Sequence, residues 1–341
     1  MADDGLRPLS QPGSIDFRWS RSANADKKDL YGRKLLKSLQ TWGAALVTNP
    51  PASSAQVCNL EKQRSMLFNL PDTVKHRYAA ENPVDSGYTP FSAARFCAPS
   101  SEAGEHDELR ESWAFHCITH PPGTRQGDAE SENAWPIEAH GFREAYEPFA
   151  AQTHLLASQI LETLALRLKQ PMDFFTAMTN DGLSLLRVMH YPPIETQTSR
   201  LRVEAHKDFT FLTVIACVRG VGLELLAPDK ASWRPVTAGP EDVIVLAGET
   251  MEHVTYGAVP AAVHRVSGEC GTDESRYSTA CFVAGNNKTP LKRIALARPN
   301  KNPAANAAHD AISPLEFMEE CFKTHQRDAM ERYEKLPVIY G

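Results

Sequence analysis

The sequence predicts a mainly β protein with flanking helices, built around a sandwich or barrel of short strands. Three observations point there. From about residue 183 to 284, LSLLRVMHY, FTFLTVIACV, GLELLA, DVIVLAG and RYSTACFVA form short β-rich runs separated by Gly, Pro and Asp turns. Ahead of them, about 141 to 169 repeats large apolar residues mostly at threes and fours, the period of an amphipathic helix. No GxGxxG or Walker sequence occurs, which removes the usual nucleotide-binding α/β architectures.

Each element follows in order. The acidic, polar start MADDGLRPLSQPGS is neither a signal peptide nor a basic transit sequence, and residues 1–14 are expected to form a flexible tail. An α/β region, 15–120, opens with a helix carrying Leu30, Leu35, Leu36 and Leu39. The apolar strand GAALVTNPP follows, stopped by Pro50 and Pro51. SAQVCNLEKQRSMLFNLPDTVKHRY reads as a helix, a break at Pro71 and a second short helix. Residues 108–117, ELRESWAFHC, have the composition of a strand with Glu111, Trp113 and Phe115 on one face. A polar loop and the long scaffold helix occupy 121–182, the β-rich core 183–285, and a connector and helix 286–341. Ser313-Pro314-Leu315-Glu316 marks the start of that last helix, as a capping box with proline at the first helical position.

Composition narrows the function. The 341 residues are 42% hydrophobic and 23% charged, with a formal net charge of −6 and scattered Lys and Arg, so no basic footprint for nucleic acid exists. No apolar stretch approaches the roughly 20 residues that cross a bilayer. Seven cysteines with no CxxC pair argue against a disulfide framework and fit a reducing compartment, with cytoplasm as the expectation.

One stretch concentrates the chemistry. In EAHKDFT, His206 and Asp208 stand two apart, so a regular strand would send both to one face. His264 lies 58 residues on in AAVHRVSG, and RYS follows with Arg276 and Ser278 again two apart. Two histidines and one carboxylate form the facial triad that holds iron(II) with coordination positions open. An arginine offers a planar, permanently charged fork for a carboxylate, and the neighbouring hydroxyl adds a hydrogen bond. The spacing alone leaves open a satisfied polar cluster or a zinc site for the first three, and a surface ion pair for Arg276.

In combination, these motifs resemble the iron(II)- and 2-oxoglutarate-dependent dioxygenases of the isopenicillin N synthase-like family. TWGAALVTN, FNLPDTVKHRY, GYTPF, LLRVMHYPP, AHKDFTFLTV, VIVLAGETMEHVTYG, VHRV and RYSTACF occur in that family's order over roughly 15–285. The resemblance implies a double-stranded β-helix (jelly-roll) core in which the chain crosses between two sheets after His264. It implies iron ligands at His206, Asp208 and His264, and a 2-oxoglutarate carboxylate held by Arg276, Ser278 and Tyr191. Met189 departs from the family's usual asparagine, Lys207 from threonine and Glu249 from aspartate. The implied activity is oxidation of an unactivated C–H bond of a small molecule by iron(II), 2-oxoglutarate and dioxygen, as hydroxylation, desaturation or cyclisation. An iron oxidase that dispenses with 2-oxoglutarate, or a non-catalytic small-molecule binder, are the alternative readings. Arg187, Phe209, Ala280, Phe282, Glu111 and Trp113 are the expected substrate-lining residues. For Glu111 and Trp113 the alternative is a half-buried strand face, for Arg187 a structural arginine, for Phe282 core packing. His253, His116 and His120 receive no role, and neither the substrate nor the oligomeric state can be read.

Overall fold

The computed structural model describes residues 11–81, 86–91, 110–117, 133–180, 184–193, 201–219, 221–268, 275–286, 289–294, 312–321 and 323–324. Its N-terminal part runs β1 (Ser14–Asp16), α1 (Ala25–Trp42), β2 (Ala44–Thr48), α2 (Ser54–Phe68), α3 (Asp72–Lys75), β3 (Gly87–Thr89), β4 (Glu111–His116) and α4 (Phe142–Arg167). Then follow β5 (Leu185–Tyr191), β6 (Val203–His206), β7 (Leu212–Arg219), β8 (Leu223–Leu226), β9 (Trp233–Pro235), β10 (Val243–Ala247), α5 (Glu249–Val254), β11 (His264–Val266) and β12 (Arg276–Val283).

Local chemistry explains the boundaries. The Asn24 side chain accepts from the Lys27 N–H to cap α1, and Gly43 ends that helix at φ 63°. A Cβ on Gly43 would also sit 2.7 Å from the Pro260 carbonyl oxygen, so both conformation and space require glycine. Ser53 and Gln56 close a capping box on α2. In α4, Phe142, Tyr146, Phe149, Leu156, Ile160 and Leu164 are buried, as their spacing predicts. Burying one such side chain contributes about 1.5–3 kcal/mol. The stripe therefore outweighs the roughly 3 kcal/mol that proline costs inside a helix at Pro148. The last helix starts at residue 314, with Ser313 Oγ accepting from the Glu316 N–H at 3.3 Å.

Among the described residues, twelve strands form two sheets. The larger has the order β1-β2-β10-β7-β12-β5-β4-β3, and the smaller β6-β11-β8-β9. β11 and β12 are consecutive in sequence yet lie in different sheets, so the chain crosses between sheets after His264 as a jelly roll requires. One hydrophobic cluster joins the helices to the outer face of the large sheet, through residues such as Leu186, Val188, Val214 and Cys281. A second lies between the two sheets and includes Met189, Tyr191, Ile215, Leu225, Ile244 and Ala280. The functional candidates cluster on this inner side.

Two boundaries differ from expectation. The fold begins before residue 15: the Gly13 N–H donates to Ser38 Oγ at 2.7 Å and Ser14 opens β1. β6 ends at His206, so Asp208 is outside the strand rather than two residues along it.

Candidate metal centre and co-substrate pocket

β6 and β11 pair with His264 directly opposite His206, which brings the two imidazoles to a centroid distance of 4.2 Å. Each ring is oriented from behind. His206 Nδ1 lies 2.8 Å from the Glu204 carbonyl oxygen and His264 Nδ1 lies 3.2 Å from that of Ala262. A carbonyl oxygen can only accept, so Nδ1 carries a proton in both rings, which leaves Nε2 as the atom that can offer a lone pair to a metal. Those Nε2 atoms face Asp208, at 3.6 Å from Oδ1 and 3.8 Å from Oδ2. One ligand atom from each of the three residues lies within 4.8 Å of the others. These gaps exceed a hydrogen bond and suit donors that share one cation.

Asp208 reaches this position from a loop. The Glu249 N–H, at the start of α5, donates to the Asp208 carbonyl oxygen at 2.8 Å, and the Gly248 N–H donates to that of Phe211 at 3.1 Å. The Thr213 hydroxyl donates to Asp208 Oδ2 at 2.6 Å. Burial pushes the Asp208 carboxyl up, but His264, His206 and Thr213 outweigh it and hold the group well below the usual carboxylate range. Burial pushes the His264 imidazole down to about 4, aided by the charges of His206 and Arg110 and opposed by Asp208. Both pressures favour the forms that bind a metal, carboxylate and neutral imidazole.

The co-substrate candidates lie across the inner face of the large sheet. Strand register forms rows: Arg276 opposite Tyr191, Ser278 opposite Met189, Ala280 opposite Arg187, Phe282 opposite Leu185. β4 extends three of them, with Ser112 opposite Met189, Ala114 opposite Arg187 and His116 opposite Leu185. Arg276 is buried, donating from Nε to the Val221 carbonyl oxygen at 3.1 Å and from Nη1 to Ser278 Oγ at 3.4 Å. Its guanidinium lies 4.6 Å from the centre of the Tyr191 ring, so these three residues do converge. The Arg187 guanidinium lies 6.0 Å from the centre of the Phe282 ring, and Ala280 is buried between the sheets. Phe282 pairs with Thr213, the residue that bonds Asp208, which ties this end of the face to the triad. Phe209 is half-buried at the bend after Asp208, its carbonyl oxygen accepting from Thr250 Oγ1 at 2.5 Å.

Glu111 and Trp113 are corrected. In register they oppose His190 and Val188, which puts them on the outer face, toward the helices. Glu111 accepts from Lys75 Nζ at 2.8 Å and from the Tyr88 hydroxyl at 2.6 Å, and pairs with His190 Nδ1 at 2.8 Å. Trp113 packs among Tyr78, Tyr88 and Phe115. β4 is buried throughout, so its alternation does not reveal which face is inner. Sequence reasoning also missed Thr213 and Gly248, which hold Asp208 and its loop. A hydroxyl inside the apolar run FLTVIACV was the one available signal, and it marks Thr213.

Comparison with known proteins decides the family. The family described as the 2OG-Fe(II) oxygenase superfamily matches residues 182–285. That described as the non-haem dioxygenase N-terminal region, from morphine synthesis, matches 14–138. A putative 2OG-Fe(II) oxygenase family protein from Caulobacter crescentus has the same fold at TM-score 0.78, with 25% identity, covering 93% of this chain and 99% of its own. The segment 182–285 belongs to the 2OG-Fe(II) oxygenase superfamily. The 2-oxoglutarate-dependent dioxygenase htyE of Aspergillus rugulosus is 26% identical over 295 residues, 79% of this chain and 86% of that protein. A Neurospora crassa protein, solved in complex with alpha-KG and thymine, shares the fold at TM-score 0.75 and 20% identity, over 95% and 98% of the two chains. This oxygenase is thus an iron(II)- and 2-oxoglutarate-dependent oxidoreductase that uses dioxygen on a small-molecule substrate. Among its described residues no helix is long and apolar enough to cross a membrane.

Proposed function

We propose that His206, Asp208 and His264 hold the iron(II) of this oxygenase, and that Arg276, Ser278 and Tyr191 bind the far carboxylate of 2-oxoglutarate. The observation that carries the reading is the convergence of the three ligand atoms within 4.8 Å, on the side of the large sheet that also bears Arg276. Iron(II) in such a site, with 2-oxoglutarate, activates dioxygen for oxidation of a C–H bond.

The protein's own groups do the positioning. The Glu204 and Ala262 carbonyl oxygens fix the imidazole tautomers, and Thr213 orients the Asp208 carboxylate. Arg276 supplies a charge-assisted fork at one end of the inner face, while Arg187, Ala280, Phe282 and Phe209 line the space for the substrate. The reaction is hydroxylation, desaturation or cyclisation of an unactivated C–H bond. The catalytic core is assigned to residues 183–285 of the chain. The net charge of −6 fits a protein without a nucleic-acid partner, and free cysteines such as Cys58 and Cys281 fit a cytoplasmic one.

The test is anaerobic titration with iron(II) and 2-oxoglutarate, followed by succinate release in air. His206→Ala and Asp208→Ala are expected to abolish both metal binding and succinate release while remaining folded by circular dichroism. Wild-type turnover in either variant at saturating iron would remove the ligand assignment.

A further inference from the structure

On the outer face of the large sheet, the rows that cross β4, β5 and β12 are mostly apolar: Trp113, Val188 and Thr279 in one, Phe115, Leu186 and Cys281 in the next. One row differs. It consists of Glu111, His190 and Tyr277, and it lies directly beside the inner-face pair Tyr191 and Arg276. The Glu111 carboxylate, 2% exposed, accepts from Lys75 Nζ at 2.8 Å and from the Tyr88 hydroxyl at 2.6 Å, and His190 Nδ1 lies 2.8 Å from it. Burial pushes this carboxyl up, but His190, Lys75 and Tyr88 outweigh it and hold the group below the usual carboxylate range. An ionised carboxylate only accepts, so His190 Nδ1 donates to it.

The other ring nitrogen reaches β12. His190 Nε2 lies 2.9 Å from Ser275 Oγ, and the imidazole stacks on Tyr277 with centroids 4.8 Å apart and planes 16° off parallel. Ser275 and Tyr277 are the chain neighbours of Arg276, the first residue of β12. Side chains alternate along a strand, so the backbone that carries Arg276 inward is gripped on both sides of that residue by one imidazole on the opposite face. The end of a strand opens more readily than its middle, and the grip falls at that end. Stability alone is a poor account of the row. Replacing a buried ion pair such as Lys75 and Glu111 by apolar side chains of similar volume is often neutral or stabilising. What the row adds is a fixed position for the start of β12.

We propose that His190, held by Glu111, is a positioning residue for co-substrate binding, acting through Ser275 and Tyr277 to set the reach of Arg276 toward the far carboxylate of 2-oxoglutarate. The proposal rests on the assignment of Arg276 as that anchor. A guanidinium grips a carboxylate through two parallel hydrogen bonds, so its affinity depends on direction as well as charge. His190 stands on the opposite face of the sheet from the triad and the co-substrate candidates. Its loss should therefore fall on 2-oxoglutarate affinity and spare the metal.

The experiment uses the full chain loaded with iron(II) without oxygen, with the Kd for 2-oxoglutarate measured by calorimetry and succinate release followed separately in air. His190→Phe keeps a ring beside Tyr277 but deletes both hydrogen bonds, Ser275→Ala deletes one of them, and Ser275→Thr keeps it. His190→Phe is expected to weaken 2-oxoglutarate binding about tenfold, Ser275→Ala about three- to tenfold, and Ser275→Thr less than about twofold. Iron(II) affinity and the rate of succinate release at saturating 2-oxoglutarate should stay within about threefold of wild type, which also shows that the variants are folded. If His190→Phe does not fold, the Ser275 pair decides alone. In an Arg276→Leu background His190→Phe should add less than about twofold, because the group it positions is gone. The proposal is overturned if His190→Phe and Ser275→Ala bind 2-oxoglutarate as wild type does. It is equally overturned if iron(II) affinity falls as far as co-substrate affinity, or if the His190→Phe effect persists in full without Arg276. An Arg276→Leu protein that binds 2-oxoglutarate as tightly as wild type would instead remove the anchor assignment, and this proposal with it.

Discussion

Gly248 offers a severe test of how Asp208 is held. Its backbone, at φ −101° and ψ −179°, is open to any residue, so conformational preference does not explain a glycine there. Space does. A Cβ at this position would lie 2.1 Å from the Thr210 carbonyl oxygen and 2.8 Å from that of Asp208. Ordinary carbon–oxygen contact lies above 3 Å, so Gly248→Ala must displace the 208–210 loop by about 1 Å or more. The obstructing atoms are backbone and cannot swing aside as a side chain would. Overpacking of this kind costs about 1–3 kcal/mol of stability. The larger effect should fall on the metal, because the displaced loop carries Asp208 and its Glu249 hydrogen bond. A shift of about 1 Å in a reacting group can cost roughly a hundredfold in rate. Gly248→Ala is therefore expected to fold with a modestly lower Tm, to weaken iron(II) binding, and to release succinate about a hundredfold more slowly at equal iron. Metal titration and succinate assay check both arms. Wild-type metal affinity and rate in a folded Gly248→Ala protein would refute the argument that this close approach positions Asp208.

Three further outcomes follow from the same geometry. Arg276→Leu should raise the Michaelis constant for 2-oxoglutarate about a hundredfold, since a buried carboxylate losing its charged partner costs on the order of 3 kcal/mol; an unchanged constant would remove the anchor assignment. Thr213→Val deletes the 2.6 Å hydrogen bond to Asp208 and should weaken metal binding about 10- to 100-fold, measured by competition with a chelator. Metal-free protein should lose stability on acidification. The His264 imidazole is pushed from 6.5 down to about 4 in the fold, so the unfolded chain takes up a proton first as pH falls through this window. The contribution is fully present above about 6.5 and falls by about 3 kcal/mol as pH reaches 4. Urea denaturation at pH 7 and 4.5 measures it, and His264→Gln should lose markedly less than wild type over the same range.

Much of this could be read from the chain, and the failures have a common physical origin. Helices were legible wherever one face is buried: the stripe from Phe142 to Leu164 and the Ser313 capping box fall where the spacing puts them. The His206, Asp208 and His264 set was legible because its residue types are rare in β-rich segments. Its geometry was not, because β6 stops at His206 and the Asp208 loop is held by contacts from α5, some 40 residues further on. Gly248 was invisible for the same reason, since its necessity comes from a carbonyl oxygen distant in sequence.

The error at β4 is the most instructive. Alternation reveals an inner face only when the other face meets water, and here both sides of the strand are buried, one against helices and one between sheets. Glu111 and Trp113 looked like pocket residues because they are large or charged, yet their polar partners Lys75 and Tyr88 come from α3 and β3 on the outer side. The opposite parity, Ser112 and Ala114, falls on the inner face beside Met189 and Arg187. This strand belongs to the N-terminal family match, whereas the metal and 2-oxoglutarate candidates all fall within the matching segment 182–285. Because β4 pairs with β5 in one continuous sheet, the N-terminal region contributes a strand to the same sheet face rather than a separate scaffold. The residues proposed for the metal and 2-oxoglutarate come from β5, β6, β11, β12 and the Asp208 loop, and β4 extends the sheet face on which β5 and β12 present theirs.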